Sequence, residues 1–149
     1  MADSKAYDDL IMDHIRNARN FRALADASHH ADGSNPLCGD ELAVYVRLIN
    51  DCIEEVSFQC TCCGISMASA SIMTASVHGK SVTEARVAIA EIVTAIAAHD
   101  DTAFAATEPA HEALLKTVRQ FPARARCALL PWATLEGALD NQQEPVTLA

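Results

Sequence analysis

The chain has 149 residues, a length typical of a single domain that buries about 70% of its unfolded surface. Half of the residues are hydrophobic, alanine is abundant and aromatic residues are few, which favours packed helices over an all-β sandwich or barrel. The net charge of −9 argues against nucleic acid or an anionic membrane surface as the main partner, because both require clustered Lys and Arg.

The N-terminus lacks the basic start and apolar core of a secretory signal. The most apolar predicted helix, residues 85–98, is interrupted by Arg86 and Glu91 and is too short to span a bilayer. The expected location is therefore the cytoplasm. Because thiols stay reduced there, the six cysteines are predicted to be metal or redox ligands and not disulfide bridges.

The first predicted element is an amphipathic helix over residues 5–19. Its apolar side carries Tyr7, Leu10, Ile11, His14 and Ile15. His14 on this side is interpreted as a packing residue with a satisfied ring. The polar residues 28–36 that follow predict a loop, in which His29 and His30 are expected to be solvated.

A β-hairpin is predicted next. Residues 42–49 alternate with a period of two, Asn50 and Asp51 form a turn pair, and residues 53–59 return antiparallel. Glu54, Val56 and Phe58 are expected on one face of the returning strand. Cys52, inside the hairpin, is interpreted as a small buried hydrophobe. The segments before and after the hairpin are expected to meet, because a hairpin brings its open ends together.

Four helices are predicted after the hairpin. The first follows Cys63 and stops near Gly79, and Ser81 to Glu84 fit a capping box for the second. Pro109 opens the third, which Phe121-Pro122 ends, and the fourth starts close to Cys127. Their apolar stripes are Ile65, Ala68, Ile72 and Met73; Ile89, Ile92, Val93 and Ile96; Leu114, Leu115 and Val118; and Leu129, Trp132, Leu135 and Leu139. Residues 140–149 are polar and are expected to fray.

Three segments, residues 35–40, 60–66 and 124–128, contain metal-type ligands. Three thiolates and one carboxylate, from Cys38, Asp40, Cys63 and Cys127, make a tetrahedral zinc-type set in which the carboxylate is the weaker ligand. This asymmetry suggests a site that exchanges a ligand, and therefore sulfur or iron chemistry. The predicted helix N-termini near Cys63 and Cys127 favour thiolates, and so do the supporting residues Arg124 and Arg126.

Four segments together resemble the SufU-type branch of the IscU/NifU family. They are YDDLIMDHIRNARN (7–20), NPLCGD (35–40), CGISMASASIMT (63–74) and FPARARCALLPW (121–132). The resemblance implies a single α+β domain of the SufE/IscU-like, NifU N-terminal type, in which a small antiparallel β-sheet packs against helices. It also implies a third strand that the local pattern does not locate. We assign residues 1–139 to this domain and residues 140–149 to a polar C-terminal tail.

Two features place the resemblance on the SufU-type side of the family. Scaffold-type IscU members carry a His directly before the last ligand Cys, where this chain has Arg126. SufU-type members carry an insertion of about twenty residues before that Cys, and the 63 residues between Cys63 and Cys127 match the longer spacing.

The resemblance implies a zinc-dependent sulfur acceptor for a pyridoxal-phosphate-dependent cysteine desulfurase of the SufS type, acting with other Suf cluster-assembly proteins. In that mechanism a His of the desulfurase enters the zinc shell and frees Cys38, the catalytic thiol, to take the persulfide sulfur. Asp40 would help to hold the zinc, and Cys63 and Cys127 would stay as anchoring thiolates. One alternative is a scaffold that assembles a transient iron–sulfur cluster on the same ligands. Another is a binding module with a purely structural zinc.

One segment departs from the family pattern. SufU-type relatives usually have Gly-x-Gly ahead of the ligand Cys, and this chain has Cys60-Thr61-Cys62. Two interpretations stay open: a secondary sulfur relay or alternative metal ligand, or a tolerated replacement by other small residues.

Overall fold

The computed structural model describes residues 9–98 and 109–148. Within these ranges the elements follow the order α1, β1, β2, β3, α2, α3, α4, α5, β4. The helices are α1 (Asp9–Arg16), α2 (Gly64–Val77), α3 (Val82–Ala98), α4 (Pro109–Gln120) and α5 (Ala125–Leu139), and a 3-10 turn (Pro122–Arg124) precedes α5. The strands are β1 (His29–Asn35), β2 (Asp40–Ile49), β3 (Cys52–Thr61) and β4 (Val146–Thr147). The predicted α+β class is confirmed.

The four described strands form one sheet in the order β3-β2-β1-β4. β2 pairs antiparallel with both β1 and β3, so the predicted hairpin is confirmed. Val44 lies opposite Phe58 and Val46 opposite Val56, and all four side chains are buried. Cross-strand apolar pairs of this kind fix the register, because a shift by one residue would expose them.

A β-bulge corrects the predicted face of β3. Glu55 stands opposite Arg47 and Ile53 opposite Leu48, so Glu54 is an extra residue in the ladder. Glu54 is exposed, while the two apolar residues predicted to share its face are buried. The extra residue changes the alternation on which the prediction relied.

Cys52 is also placed differently from the prediction. It is the first residue of β3, opposite Ile49 at the end of the hairpin, and its side chain is exposed. The interpretation as a buried hydrophobe is wrong, because both residues of this terminal pair are exposed to solvent.

β1 occupies most of the segment that was predicted to be a loop. Its buried face carries Ala31, Gly33 and Asn35, which give no hydrophobic alternation to detect in the sequence. The strand forms because it pairs with β2 and because α5 packs closely against it. A Cβ at Gly33 would lie 2.0 Å from Oγ1 of Thr134, so only glycine permits this approach. β1 supplies the third strand that the family resemblance implied.

The C-terminal segment pairs with the sheet and does not fray. Val146 and Thr147 run parallel to Gly33 and Ser34, and the Leu148 amide donates to the Ser34 carbonyl at 3.0 Å. The division of the chain at residues 139 and 140 stays a prediction.

The helices cover one face of the sheet around a common core. α5 packs against β1 and β2, and α2 packs against both α5 and α1. Most of the predicted stripes are buried, with Val93 and Leu129 only partly so. The capping box is confirmed, because the Ser81 amide binds Glu84 Oε1 at 3.0 Å and the Glu84 amide binds Ser81 Oγ at 3.1 Å. In the described ranges, every helix is too short or too polar to cross a membrane.

α1 is shorter than predicted at its C-terminal end, because it ends at Arg16 and not at residue 19. Residues 5–8, with Tyr7, lie outside the described residues. The interpretation of His14 as a packing residue is confirmed: it is buried, with Nδ1 2.7 Å from Ser71 Oγ. Burial holds the pKa of His14 below its usual value, and the nearby charge of Arg19 acts in the same direction.

Candidate metal and sulfur site

The three ligand segments meet at one end of the sheet. The ligand atoms of Cys38, Asp40 and Cys127 all lie within 4.8 Å of one another, and the two sulfurs are 3.5 Å apart. Cys63 joins this group through Asp40, because its sulfur lies 3.9 Å from Oδ2 of the carboxylate. We call these four residues the donor cluster.

Cys38 lies in the turn that links β1 to β2. The backbone amides of Cys38 and Gly39 both donate to the Asn35 carbonyl, at 3.1 and 2.9 Å, and this closes the turn. Gly39 has a φ of +73°, which an L side chain rarely adopts. Asp40 follows as the first residue of β2, directly opposite Asn35. The turn therefore sets the positions of both its thiol and its carboxylate.

The other two thiols lie at helix N-termini, as predicted. Cys63 is the N-cap residue of α2, and Cys127 is the third residue of α5. The Cys63 amide donates to Asp40 Oδ1 at 2.9 Å. This hydrogen bond joins the start of β2 to the start of α2.

Asp40 is held by a serine that the sequence analysis did not identify. The carboxylate is buried, and Ser66 Oγ lies 3.1 Å from its Oδ2 and 2.9 Å from the Cys127 carbonyl oxygen. Ser66 thus bridges β2 and α5. Its position three residues after Cys63 was the available signal, because that spacing puts both side chains on one side of a helix.

The thiols of the donor cluster differ in exposure. Cys38 is exposed and follows Leu37, whose side chain is 74% exposed. Cys63 is half-buried, and Cys127 is completely buried. Cys38 is therefore the most solvent-accessible thiol of the donor cluster, and Cys127 the least.

The protonation of Cys127 differs from the expected thiolate. Burial raises the pKa of its thiol well above the usual value, and contacts with Asp40, Cys38 and Cys63 act in the same direction. Burial, the largest of these effects, and the acidic neighbours together raise the pKa of Cys127 although the thiol lies at a helix N-terminus. A cation among the donors would reverse the balance, since metal binding deprotonates cysteine ligands.

The two predicted supporting arginines have different positions. The Arg124 side chain hydrogen-bonds to Cys127 and Cys63, and the contact with Cys127 is the main reason that the pKa of Arg124 is raised. Arg126 is exposed, and its side chain has no hydrogen bond or ion pair with another described residue. Arg124 therefore directs positive charge at the thiols.

Cys60 and Cys62 are joined by a disulfide, with their Cα atoms 5.5 Å apart. The expectation that no cysteine forms a bridge is wrong for this pair. Cys60 is the penultimate residue of β3 and Cys62 directly follows the strand, so the two are separated by Thr61 alone. In this bonded form they offer no thiolate for a metal, so the donor cluster does not include them.

The donor cluster fits a tetrahedral zinc ion. Two sulfurs that each lie 2.3 Å from zinc are about 3.8 Å apart at the tetrahedral angle, and a sulfur and a carboxylate oxygen about 3.5 Å apart. The corresponding distances here are 3.5 Å between Cys38 and Cys127 and 3.9 Å between Cys63 and Asp40. The chemistry of the four donors and these two distances suit this metal, and Cys38, Asp40 and Cys127 are the three whose donor atoms all lie within 4.8 Å of one another.

Comparison with known proteins bears on the family and the fold of this chain. The model of the NifU-like N terminal domain family matches residues 6–128. The zinc-dependent sulfurtransferase SufU of Bacillus subtilis is 36% identical over 140 residues, which cover 92% of this chain and 91% of the relative. The iron–sulfur cluster assembly scaffold protein IscU of Thermotoga maritima is 31% identical, over 93% of this chain and 96% of the relative.

Two solved structures share the fold. The protein named FiSufU from Fervidobacterium islandicum AW-1 has a TM-score of 0.78 and 30% identity, over 90% of this chain and 96% of its own. A NifU-like N-terminal protein from Brucella abortus also has a TM-score of 0.78, over 90% of this chain and 92% of its own. At 21% identity, the Brucella protein supports the fold alone.

Proposed function

This chain belongs to the NifU-like N terminal domain family, and we propose that it is a zinc-dependent sulfur acceptor that takes persulfide sulfur from a cysteine desulfurase for iron–sulfur cluster assembly. The observation that carries the proposal is the graded exposure of the donor cluster. One thiol, Cys38, is exposed beside a buried carboxylate, and the thiol of Cys127 next to it is buried. Such a site retains a metal while it offers one sulfur to a partner.

Cys38, Asp40, Cys63 and Cys127 would hold the zinc. Bound there, zinc would supply the positive charge that keeps cysteine sulfurs deprotonated at neutral pH. Ser66 and the Cys63 amide keep the Asp40 carboxylate oriented. Arg124 offsets negative charge, because four anionic donors and one divalent cation leave a net charge of −2.

The transfer itself is a thiol–persulfide exchange at Cys38. The Cys38 thiolate attacks the outer sulfur of a persulfide on the donor protein. A new S–S bond forms at Cys38, the donor S–S bond breaks, and the donor cysteine leaves as a thiolate. No net oxidation or reduction occurs. The exposed Leu37 beside Cys38 offers an apolar contact to the donor.

The proposal extends to the partners and the setting. The donor would be a pyridoxal-phosphate-dependent desulfurase of the SufS type in the cytoplasm, and other Suf proteins would receive the sulfur. The relative from Bacillus subtilis is named a zinc-dependent sulfurtransferase, SufU, which supports this proposal. We assign this activity to residues 1–139, with residues 140–149 as the tail.

The test is desulfurase turnover with and without this protein. We expect about one zinc per chain and a turnover that rises when the protein is added. Cys38→Ala should keep most of the zinc and abolish both the stimulation and the persulfide on this protein. Cys52→Ala, which removes an exposed thiol at the far end of β3, should behave as the unchanged protein. Normal stimulation by Cys38→Ala would show that the acceptor assignment is wrong.

A scaffold for a transient iron–sulfur cluster is the second candidate. Cys38, Asp40 and Cys127, whose donor atoms lie within 4.8 Å of one another, together with the nearby thiol of Cys63, suit cluster iron with a labile fourth ligand. The Thermotoga maritima relative is named a scaffold. Arg126 in place of the His of scaffold-type members counts against it. Anaerobic reconstitution, followed by visible absorption and transfer to an acceptor without a cluster, distinguishes the two functions.

A further inference from the structure

The Cys60–Cys62 pair lies at the end of β3 that leads directly into the donor cluster. Cys60 stands opposite Leu42 and Thr61 opposite Glu41, so the ladder ends at the level of Asp40. The peptide group that links Cys62 to Cys63 donates its N–H to Asp40 Oδ1 at 2.9 Å. Cys62 is therefore one peptide bond from the cluster, and Cys38 precedes Asp40 by only two residues.

The backbone of this pair already accommodates a disulfide. The Cα separation of 5.5 Å lies within the usual range for bridged cysteines, and both residues are partly exposed. Two thiols in this arrangement release two electrons when they close the bond. Cys60 also lines an open cavity of about 600 Å³ together with Phe21 and Glu41, which gives a small reductant access to the pair.

Release of the transferred sulfur as sulfide requires two electrons, and one pair of cysteines is placed to supply them. The sulfur held by Cys38 as a persulfide must gain two electrons to leave as sulfide. All six cysteines fall within the described ranges, and Cys63 and Cys127 serve as metal donors. Cys52 is at the opposite end of β3. Cys60 and Cys62 remain, at the end of β3 that leads into the donor cluster.

We propose that Cys60 and Cys62 are a redox-active pair that takes the sulfur from Cys38 and releases it as sulfide. This inference rests on the proposed function of Cys38 as the sulfur acceptor. It assigns an activity to the one segment that departs from the family pattern.

The steps balance in atoms and electrons. In the dithiol form, the Cys62 thiolate attacks the outer sulfur of the Cys38 persulfide, and Cys38 leaves as a thiolate. The Cys60 thiolate then attacks Sγ of the Cys62 persulfide, the Cys60–Cys62 disulfide forms, and hydrosulfide leaves. The two thiols are oxidised, and the transferred sulfur is reduced to sulfide. A cellular thiol reductant returns the disulfide to the dithiol for the next cycle.

A single-turnover experiment tests the pair. A desulfurase that already carries its persulfide, freed of cysteine, is mixed anaerobically with one equivalent of this protein in the dithiol form. Sulfide is measured without added reductant, and peptide mass spectrometry locates persulfides and disulfides. We expect about one sulfide per transferred sulfur and the appearance of the Cys60–Cys62 disulfide.

The variants separate the two steps. Cys62→Ser should retain the persulfide on Cys38, and Cys60→Ser should retain it on Cys62, and both should release sulfide only after a dithiol is added. Cys52→Ser, the matched control, should release sulfide as the unchanged protein does. If the Cys60→Ser/Cys62→Ser double variant releases sulfide at the unchanged rate, the redox role is wrong although Cys38 remains the acceptor. If that double variant carries no sulfur on Cys38, the proposed function fails and the inference fails with it.

Discussion

Ser66 Oγ lies 3.1 Å from Asp40 Oδ2, although the two residues are 26 positions apart in the chain. The same hydroxyl lies 2.9 Å from the Cys127 carbonyl oxygen, so one side chain connects the first ligand segment to the last. Groups that orient a metal ligand in this way tune the affinity of the site.

Ser66→Ala is expected to lower zinc affinity by about 10- to 100-fold, because the Asp40 carboxylate loses a hydrogen bond that holds its orientation. Competition with a zinc chelator measures the change. Ser69→Ala is the matched control, since Ser69 is in the same helix and binds Ala128 and Trp132 outside the donor cluster. It should reduce stability and leave zinc affinity near that of the unchanged protein. Equal affinities for the two variants would argue against the orienting role of Ser66.

Arg124→Ala is expected to weaken zinc binding roughly tenfold, because Cys127 and Cys63 lose a charged hydrogen-bond donor. Arg126→Ala removes the same charge two residues away. Both arginines are exposed, but only Arg124 has a described contact with the thiols, so Arg126→Ala should have a much smaller effect. The same chelator competition at two salt concentrations measures both variants. If the two variants weakened zinc binding equally, general charge and not the contact with the thiols would be responsible.

The stability of the folded protein is expected to fall as the pH drops below about 6.5, the value for His in an unfolded chain. Burial lowers the pKa of His14, so the unfolded chain binds a proton that the folded protein resists. The contribution is complete above this pH and is lost as the pH falls towards the folded pKa. Chemical denaturation between pH 5 and 7.5 measures the slope, which should be shallower in His14→Gln.

Gly33→Ala is expected to destabilise the fold by about 1–3 kcal/mol, the usual cost of forcing an added methyl group into a packed core. The new Cβ would lie 2.0 Å from Thr134 Oγ1, so β1 and α5 would have to separate. The double variant Gly33→Ala/Thr134→Ala removes that oxygen and should recover part of the lost stability. Denaturant unfolding of Gly33→Ala, Thr134→Ala and the double variant measures this. A purely additive result would show that this contact does not limit the packing.

The sequence pattern predicts the hairpin and the last four helices because their signals are local. Alternating apolar residues in β2, the capping box at Ser81, and Pro109 at the start of α4 each act within a few residues. The four donors could also be predicted as a set, because thiols beside glycine or arginine in three separate segments are an unusual combination. The first two ligand segments meet because the hairpin brings its open ends together, and the hairpin was itself predictable.

Other features depend on residues that are distant in the chain. β1 has Ala31, Gly33 and Asn35 on its buried face, and it is a strand because β2 and α5 pack against it. Glu54 is displaced by a bulge that forms only when β3 pairs with β2. β4 is a strand because it adds to the edge of β1.

By itself, the sequence determined the hairpin, the last four helices and the identity of the candidate ligands, since motif and periodicity are properties of neighbouring residues. The family that its motifs resemble implied the α+β class. Only the tertiary structure decided that Ser66 contacts the donors and that, of the two predicted arginines, it is Arg124 that does so. It also decided that Cys38 is the exposed thiol and that Cys60 and Cys62 are bonded. Exposure, burial and the pKa of Cys127 arise from groups that folding brings together from distant segments. No local sequence pattern predicts the distances between those groups.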